Sequence, residues 1–569
     1  MGIGAACTRM IAHQLTGSCL RTVPHITCRG SQFGTDPNSV VETRTMSLGR
    51  GGDDPGDDGG RRRHHLGGIR RLTRITSAEM AGRLGRVTIA LYNTATRRTS
   101  ELRPVIDGHV GIYVCGATVQ GEPHIGHLRS ASVFDVLRRW LLYRGYSVTL
   151  IRNVTDIDDK ILSKSVEEGR PWFAHAFLYE RAFTAAYDAL DIMPPSYEPR
   201  ATGHITEMHE LIARLIDAGH AYPALDASGD VYFSTTSWPD YGELTNQRLE
   251  DMEPAEDSDM RGKKDPRDFA LWKAHKPGEP ETASWPSPWG RGRPGWHIEC
   301  SAMSTKYLGP HFDIHGGGLD LRFPHHENEL AQSRAAGDAF TNVWMHSGLL
   351  NVGGDKMSKS LGNSIFASDL FAQFSPIAVR YFLTSASYRS VLEYSPEAMA
   401  RQTASLERLS NFLDRARQAL GDEAPALPNV EAAYADRSVD VPEDFALALD
   451  DDLGVPRALS VVFARVTEGA KLLDSGADKP GLARIVAEVE LMLDILGVNP
   501  SAEVWGGANA NAPAAAALDS LVAELAQKRI EAKAEKDFAT ADAIRDELSA
   551  AGIAIEDTAD GYRYHLKNS

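Results

Sequence analysis

The chain has 569 residues, of which 42% are hydrophobic and 24% charged. That is the composition of an ordinary globular protein, and the length exceeds what one core can hold. No apolar run reaches the roughly 18 residues of a membrane span, and a net charge of −17 argues against non-specific nucleic-acid binding while leaving room for a local basic patch. Five cysteines, too few and too scattered for a disulfide framework, point to a reducing, cytoplasmic compartment.

Residues 1–86 stand apart. Residues 51–60 are rich in Gly and Asp, Arg61, Arg62, Arg63, His64 and His65 come next, and no apolar period is sustained. The segment is expected to be a disordered extension. Its first 35 residues lack any acid and carry Arg9, Arg21 and Arg29, a trace of an organelle transit peptide. An appended extension, or a start at Met46 or Met80, is the simpler account. Folded sequence should begin near Val87, with a strand over 89–92.

The stretch 111–130 organises the rest of the chain. Ile112, Tyr113 and Val114 predict a strand reaching Cys115; Gly116 breaks it, and His124-Ile125-Gly126-His127 comes after Pro123. A helix is expected next, because Val133, Phe134, Val136, Leu137, Trp140 and Leu141 share one face and Gly145 closes it. A strand, a turn and a helix N-terminus offer open backbone N–H groups and a positive dipole end to phosphate. Gly126 permits close approach, and two histidines on one side of the first turn can donate to phosphate oxygens. Histidines near helix starts are common, so these four residues do not decide the matter alone.

A buried strand over 148–154 should lead into Thr155, Asp156, Ile157, Asp158, Asp159 and Lys160. Carboxylates at a strand's C-terminal end mark ligand crevices in open α/β sheets, although Asp156 equally suits a helix N-cap. Residues 161–220 read as mostly helical, with an amphipathic helix over 205–218 closed by Gly219. The stretch 222–295, richer in Pro, Gly and Trp, reads as an irregular insertion. Metal-ligand residue types then occur in two segments: His297, Glu299 and Cys300, and later His315, His325, His326 and Glu329. Pro324 fits a first helical turn, which places His325 and Glu329 on one face at i and i+4. Such a pair with thiolates from elsewhere can build a tetrahedral zinc site; alone, Cys300 would read as a small buried residue and the pair as a solvated face.

Gly353 and Gly354 hinge a loop carrying Lys356, Met357, Ser358, Lys359 and Ser360, able to close over a polyphosphate. The remainder is helical. Leu406, Leu409, Leu413 and Ala416 mark one helix, and 445–473 and 483–496 supply more. Residues 499–517, rich in Gly, Asn and Ala, read as a linker. A final helix pair should expose Lys528, Arg529, Lys533 and Lys536 and bury Ala541, Ile544 and Leu548.

Together these residues resemble one family, the bacterial cysteinyl-tRNA synthetases of class I. The segments 124–127 and 356–360 are similar to its HIGH and KMSKS signatures. Residues 113–116, 153–160, 295–303, 315–329, 450–452 and 537–542 resemble motifs particular to it. The likeness covers about 87–569. Gln120 and Gly121 depart from a common Tyr-Asp pair, and the region 280–284 is slightly longer; neither touches a proposed ligand. The implied fold is α/β: a Rossmann-type catalytic domain with a parallel sheet and a zinc-containing insertion over 87–395. Helical domains come after it: a tRNA-binding bundle over 396–498, the linker 499–517, and a small anticodon-region domain over 518–569.

The resemblance also implies an activity. L-Cysteine is joined to ATP, with Mg2+, as cysteinyl adenylate, and the cysteine then passes to the 3′ end of tRNA(Cys). His124 and His127 would donate to the phosphates, and Lys356 and Lys359 would neutralise the departing diphosphate. Gly126, Gly316, Gly317, Gly318 and Asp320 would receive the nucleotide. Thr155, Trp296 and His315 would line the amino-acid pocket. One Zn2+ would be held by Cys115, Cys300, His325 and Glu329 and would take the substrate thiolate. Rejecting serine by roughly 10⁴-fold needs about 5–6 kcal/mol, more than a methylene-sized contact supplies, and a metal–thiolate bond can supply it without an editing domain. A monomer is expected. Two rivals remain at this point: a cysteine ligase sharing this core that passes cysteine to an amino sugar, and a zinc-stabilised RNA-binding protein without activity. The former lacks a long helical C-terminal region; the latter gives no reason for two intact phosphate elements. The residues after Pro396 are expected to be removable without loss of amino-acid activation.

Overall fold

The computed structural model describes residues 88–252, 260, 262–357, 364–427, 440–506, 512–558 and 561–566. The extension expected over 1–86, and Lys359 with most of its loop, lie outside them.

A hairpin of β1 (Ala90–Asn93) and β2 (Arg98–Glu101) precedes β3 (His109–Val114), α1 (Ile125–Tyr143) and β4 (Ser147–Arg152). Three helices come next, α2 (Asp159–Glu167), α3 (Trp172–Ala189) and α4 (Ile205–Asp217). Asp158, not Asp156, caps α2, accepting from Lys160 N at 2.9 Å; Asp156 instead accepts from Thr202 N at 3.0 Å and its hydroxyl at 2.6 Å. Residues 221–294 are more regular than the sequence suggests. They form an antiparallel sheet of β5 (Ala221–Pro223), β6 (Val231–Phe233), β7 (Phe269–Ala274) and β8 (Gly292–Pro294). Three of these strands have only three residues, too few to display an alternating pattern.

The chain then returns to the main sheet through α5 (Trp296–Leu308), β9 (His311–Gly318), α6 (His325–Ala335) and β10 (Phe340–Ser347). All strand pairings in this sheet are parallel, in the order β10-β9-β3-β4. Its strands are covered on both faces, which explains their continuous apolar character. The chain moves from β3 to β4 on one side and later places β9 on the other. The C-terminal ends of β3 and β9 therefore flank a topological switch point, where ligands bind in open α/β sheets.

Two short parallel strands, β11 (Leu350–Val352) and the later β13 (Leu392–Tyr394), bracket β12 (Asp355–Lys356), α7 (Ala367–Gln373) and α8 (Pro376–Thr384). The helical region comprises α9 (Pro396–Leu420), α10 (Glu443–Asp450), α11 (Val455–Ser475) and α12 (Lys479–Ile495). These helices share one core with α1: Trp140 and Leu141 cluster with Leu409, Leu413, Phe445 and Leu491. Trp140 Nε1 donates to Asp450 at 3.1 Å, and Tyr143 Oη accepts from Val441 N at 3.0 Å. The apolar face of α1 is legible in the sequence, but the elements that cover it are not. Cutting the chain at Pro396 would expose that face, so residues up to about 498 are not a removable unit.

A buried ion network reinforces the same junction. Asp135 on α1 accepts from Arg139 at 2.8 Å and pairs with Arg380 of α8; Arg139 also reaches Asp191 at 3.0 Å. Burial opposes ionisation of Asp135, but the two guanidinium groups prevail and bring its pKa down to about 2. Its folded value is depressed, so the contribution is complete above the unfolded value near ~4 and fades as pH falls towards 2. Asp135→Asn takes the carboxylate from buried Arg380 and leaves Arg139 its pair with Asp191; it should cost about 3–5 kcal/mol, measured as a fall in the denaturation free energy at pH 7.

The C-terminal unit, α13 (Ala512–Ala534), α14 (Phe538–Ala550), β14 (Ile553–Thr558) and β15 (Gly561–Leu566), has a core of its own around Val522, Ile544, Leu548 and Ile553. The expected linker is shorter than 499–517. Asn499 is buried and 503–505 form a 3-10 turn, while the Ala-rich stretch from 512 is helical, as alanine's propensity favours. Arg529, expected to be exposed, is buried. Among the described residues no helix is long and apolar enough to cross a membrane.

Candidate functional site

Strand ends and helix starts converge on the switch point. Cys115 directly succeeds β3, and its N–H donates to the Gly316 carbonyl of β9 at 2.9 Å. Cys300 comes from α5, and His325 and Glu329 from the first turns of α6. One ligand atom from each of Cys115, Cys300, His325 and Glu329 lies within 4.8 Å of the others, and all four residues are buried. His325 Nε2 meets Glu329 Oε1 at 3.0 Å, and the Cys115 thiol donates to the same oxygen at 3.2 Å. The cluster lies at the end of the parallel sheet and on α5 and α6. These are the four residues the resemblance implies, and none of them comes from the β5–β8 sheet.

The electrostatics of the cluster are those of a preformed cation site. Burial opposes the charge on Glu329, yet His315 and His325 hold its carboxyl well below the ordinary range. Burial likewise opposes charge on His325, but Glu329 and Cys300 raise it to about 10. The two thiols split: burial and the Cys300 neighbour push Cys115 up, while against burial the Cys115 thiol and His325 bring Cys300 down. Two sulfurs, an imidazole and a carboxylate with ligand atoms within 4.8 Å of one another fit zinc better than magnesium or calcium, which prefer oxygen.

A second ring of residues orients the first. His297 Nδ1 stands 3.0 Å from His325 Nδ1, and burial together with the His325 charge holds His297 well below its ordinary pKa. A neutral His297 can accept a hydrogen bond from His325 and so turn Nε2 of that ring towards the cluster. Asn153 Oδ1 accepts from Gly116 N at 2.9 Å and lies 3.5 Å from the Cys300 sulfur. A Cβ on Gly116 would run into the Asn153 carbonyl oxygen, so glycine is required where β3 passes β4.

The nucleotide-side candidates lie in the same cleft, of about 1040 Å³, whose wall includes Cys115, His124, His127, Trp296, Gly318 and Asp320. His124 and His127 stack at 3.6 Å between ring centroids, and His127 Nδ1 accepts from His124 N at 3.1 Å. The first-turn N–H groups are less open than expected. Ile125 N donates to the Ile365 carbonyl at 2.9 Å and His127 N to that of His124 at 2.9 Å. The first of these bonds ties the far end of the lysine loop to α1, and Met357 at its near end packs by Gly126. Both ends of that loop therefore meet the histidine turn.

These features have counterparts among known proteins. A model of the tRNA synthetases class I (C) catalytic domain matches residues 101–404. The cysteine–tRNA ligase of Clavibacter sepedonicus is 56% identical over 486 residues, covering 84% of this chain and 99% of its own. That of Cutibacterium acnes is 54% identical over 492 residues, with 85% and 98% covered. That of Nocardioides sp. is 53% identical over 484 residues, with 84% and 100% covered. The chain belongs to the class I cysteine–tRNA ligase family.

Other residues expected to act in such a ligase fall in different layers. Trp296 lines the cleft and covers His325, ring centroids 4.3 Å apart. Thr155 is buried behind the cleft wall and donates to Glu299 at 2.7 Å. His315 is fully buried, 3.5 Å from the Cys115 sulfur and 3.3 Å from Glu329. With His326 it completes a second, overlapping group of possible ligands. Gly316 and Gly317 pack under Phe134 and His326, while Gly318 and Asp320 reach the cleft. Lys356 contributes its backbone to β12. The sequence marks His297 and His326 only as metal-ligand residue types and gives His346 no role. His346 Nε2 meets His326 Nδ1 at 2.8 Å, a contact between residues on β10 and α6 that no local spacing reveals.

Proposed function

We propose that the chain activates L-cysteine with ATP and Mg2+ to cysteinyl adenylate, releasing diphosphate, and transfers the cysteine to the 3′ end of tRNA(Cys). The observation that carries this reading is the buried Cys115, Cys300, His325 and Glu329 quartet, whose Cys115 lines the same cleft as His124 and His127. The cysteine carboxylate attacks the α-phosphorus in line, so the protein's task is chiefly positioning and charge stabilisation. His124 and His127 donate to phosphate oxygens, and Gly126 keeps that turn free of a side chain. Lys356 and Lys359 close over the leaving diphosphate from a loop anchored at both ends on α1. Gly318 and Asp320 receive the adenosine.

Zinc bound by the quartet supplies a Lewis-acidic position that favours a thiolate, whose parent thiol titrates near ~8.5, over a neutral hydroxyl. His297 holds the His325 ring, Trp296 covers it, and Asn153 positions the turn that carries Cys115. Free, buried Cys115 and Cys300 favour a reducing, cytoplasmic setting, and a monomer is the working stoichiometry. The helices over 396–498 and the unit from 512 onward are assigned to tRNA. Cysteine-dependent ATP–diphosphate exchange, with subsequent transfer to tRNA(Cys) or to an amino sugar, tests the reading. Exchange with transfer to tRNA supports it; transfer only to the amino sugar, or no exchange, overturns it.

A further inference from the structure

We propose that Lys160 is a positioning residue for the second substrate, binding a phosphodiester near the 3′ end of the tRNA while its terminal ribose is acylated. The inference rests on the tRNA-charging reading above and names a contact that reading leaves open.

Lys160 is the second residue of α2, at the C-terminal end of β4, and its side chain is exposed in the cleft wall. A cation there opposes the positive end of the helix dipole, a position that helices ordinarily give to acids. Its neighbours do not compensate. Asp159 is held by Lys273 at 2.6 Å and by Arg293, and Asp158 accepts from the helix backbone as its cap. The Lys160 ammonium makes no hydrogen bond or ion pair with any described residue. Other cations of that wall are engaged: Lys273 by Asp159 and Arg267 by Asp265 at 2.8 Å. An unpaired, dipole-opposed lysine inside a ligand cleft breaks a local rule without any return in stability, as functional residues do.

The strand order decides which ligand it serves. Gly318 and Asp320 stand at the β9 end and Lys160 at the β4 end, on opposite flanks of Cys115 and β3. A nucleotide on the β9 flank leaves the β4 flank to the substrate that brings the accepting hydroxyl. That substrate is a polyanion, and its last phosphodiesters must enter beside the reacting ribose.

The test compares full-length Lys160→Ala and Lys160→Arg with the parent, using a tRNA(Cys) transcript. For Lys160→Ala, kcat/KM for charging should fall about tenfold more than kcat/KM for ATP–diphosphate exchange, chiefly through KM for tRNA. The log–log salt slope of tRNA binding should shrink by about 0.7 to 1, and Lys160→Arg should restore most of both. Equal losses in exchange and charging would overturn the proposal, since the lysine would then serve ATP or the fold. So would an unchanged salt slope with unchanged KM for tRNA. A parent enzyme that lacks exchange altogether would instead refute the underlying reading of function.

Discussion

Replacing Cys300 by serine should strip the chain of its metal and of its discrimination between cysteine and serine. Metal analysis of the purified parent should give one zinc per chain, and the Cys300→Ser protein should retain less than about a tenth of that at equal concentration. The reason lies in the donor set. Cys300 is the thiol of the pair whose pKa is brought down, against burial, by Cys115 and His325, so it is the sulfur best prepared to bind as thiolate. A serine hydroxyl at the same place stays protonated and donates to Asn153, leaving Cys115, His325 and Glu329 as an incomplete set. Without metal, the pocket can distinguish thiol from hydroxyl only by size, worth about 1–3 kcal/mol. The cysteine-over-serine ratio in diphosphate exchange should therefore fall by about two to three orders of magnitude, with cysteine activation falling most. Retained zinc with unchanged selectivity would place the metal, and the recognition of sulfur, elsewhere.

How much of this site is legible in the sequence depends on how far apart the partners are. His325 and Glu329 announce themselves because a helix fixes i and i+4 on one face, and His124 with His127 because three residues span one turn. Cys115 and Cys300 come from different strands and helices. Their convergence with α6 requires the family resemblance, since no period links positions almost two hundred residues apart. Residues that orient the ligands are harder still. Asn153 sits inside a family-like motif, yet its role needs the passage of β3 beside β4, and His346 needs the β9–β10 pairing that brings it to His326. The parallel sheet is as expected, whereas the β5–β8 sheet is not, because its strands are short and broken by Pro and Gly. The apolar residues of α1 are all identifiable, but the shared core with α9 to α12 depends on the helices that pack against them. Arg529 shows the same limit in reverse: a long charged side chain on a helix is assumed to be solvated, and its stem can instead be packed.

A chain ending at Gly506 should still activate cysteine yet charge tRNA poorly. The cores decide where the protein can be cut. Residues beyond 512 cluster around Val522, Ile544, Leu548 and Ile553, and neither of the two larger clusters includes any residue after Val498. Removing 507–569 therefore uncovers no part of the catalytic sheet, and diphosphate exchange should stay within about twofold of the parent. Charging should fall by about a hundredfold, or ~2.7 kcal/mol, because the proposed function assigns the deleted unit to tRNA and not to amino-acid activation. The remaining charging should be less sensitive to salt, since a protein of net charge −17 must meet phosphate through local lysines and arginines. A chain ending at Tyr394 should behave differently. It deprives Trp140 and Arg144 of Asp450, Tyr143 of the Val441 N–H, and the Ala90 carbonyl of the Asp452 N–H that reaches it at 2.9 Å. That chain should fail to fold, and exchange should vanish with charging. If the chain ending at Gly506 charges tRNA as well as the whole protein, the C-terminal unit has no part in recognising it. If exchange is lost with that unit, the independence of its core has been misjudged.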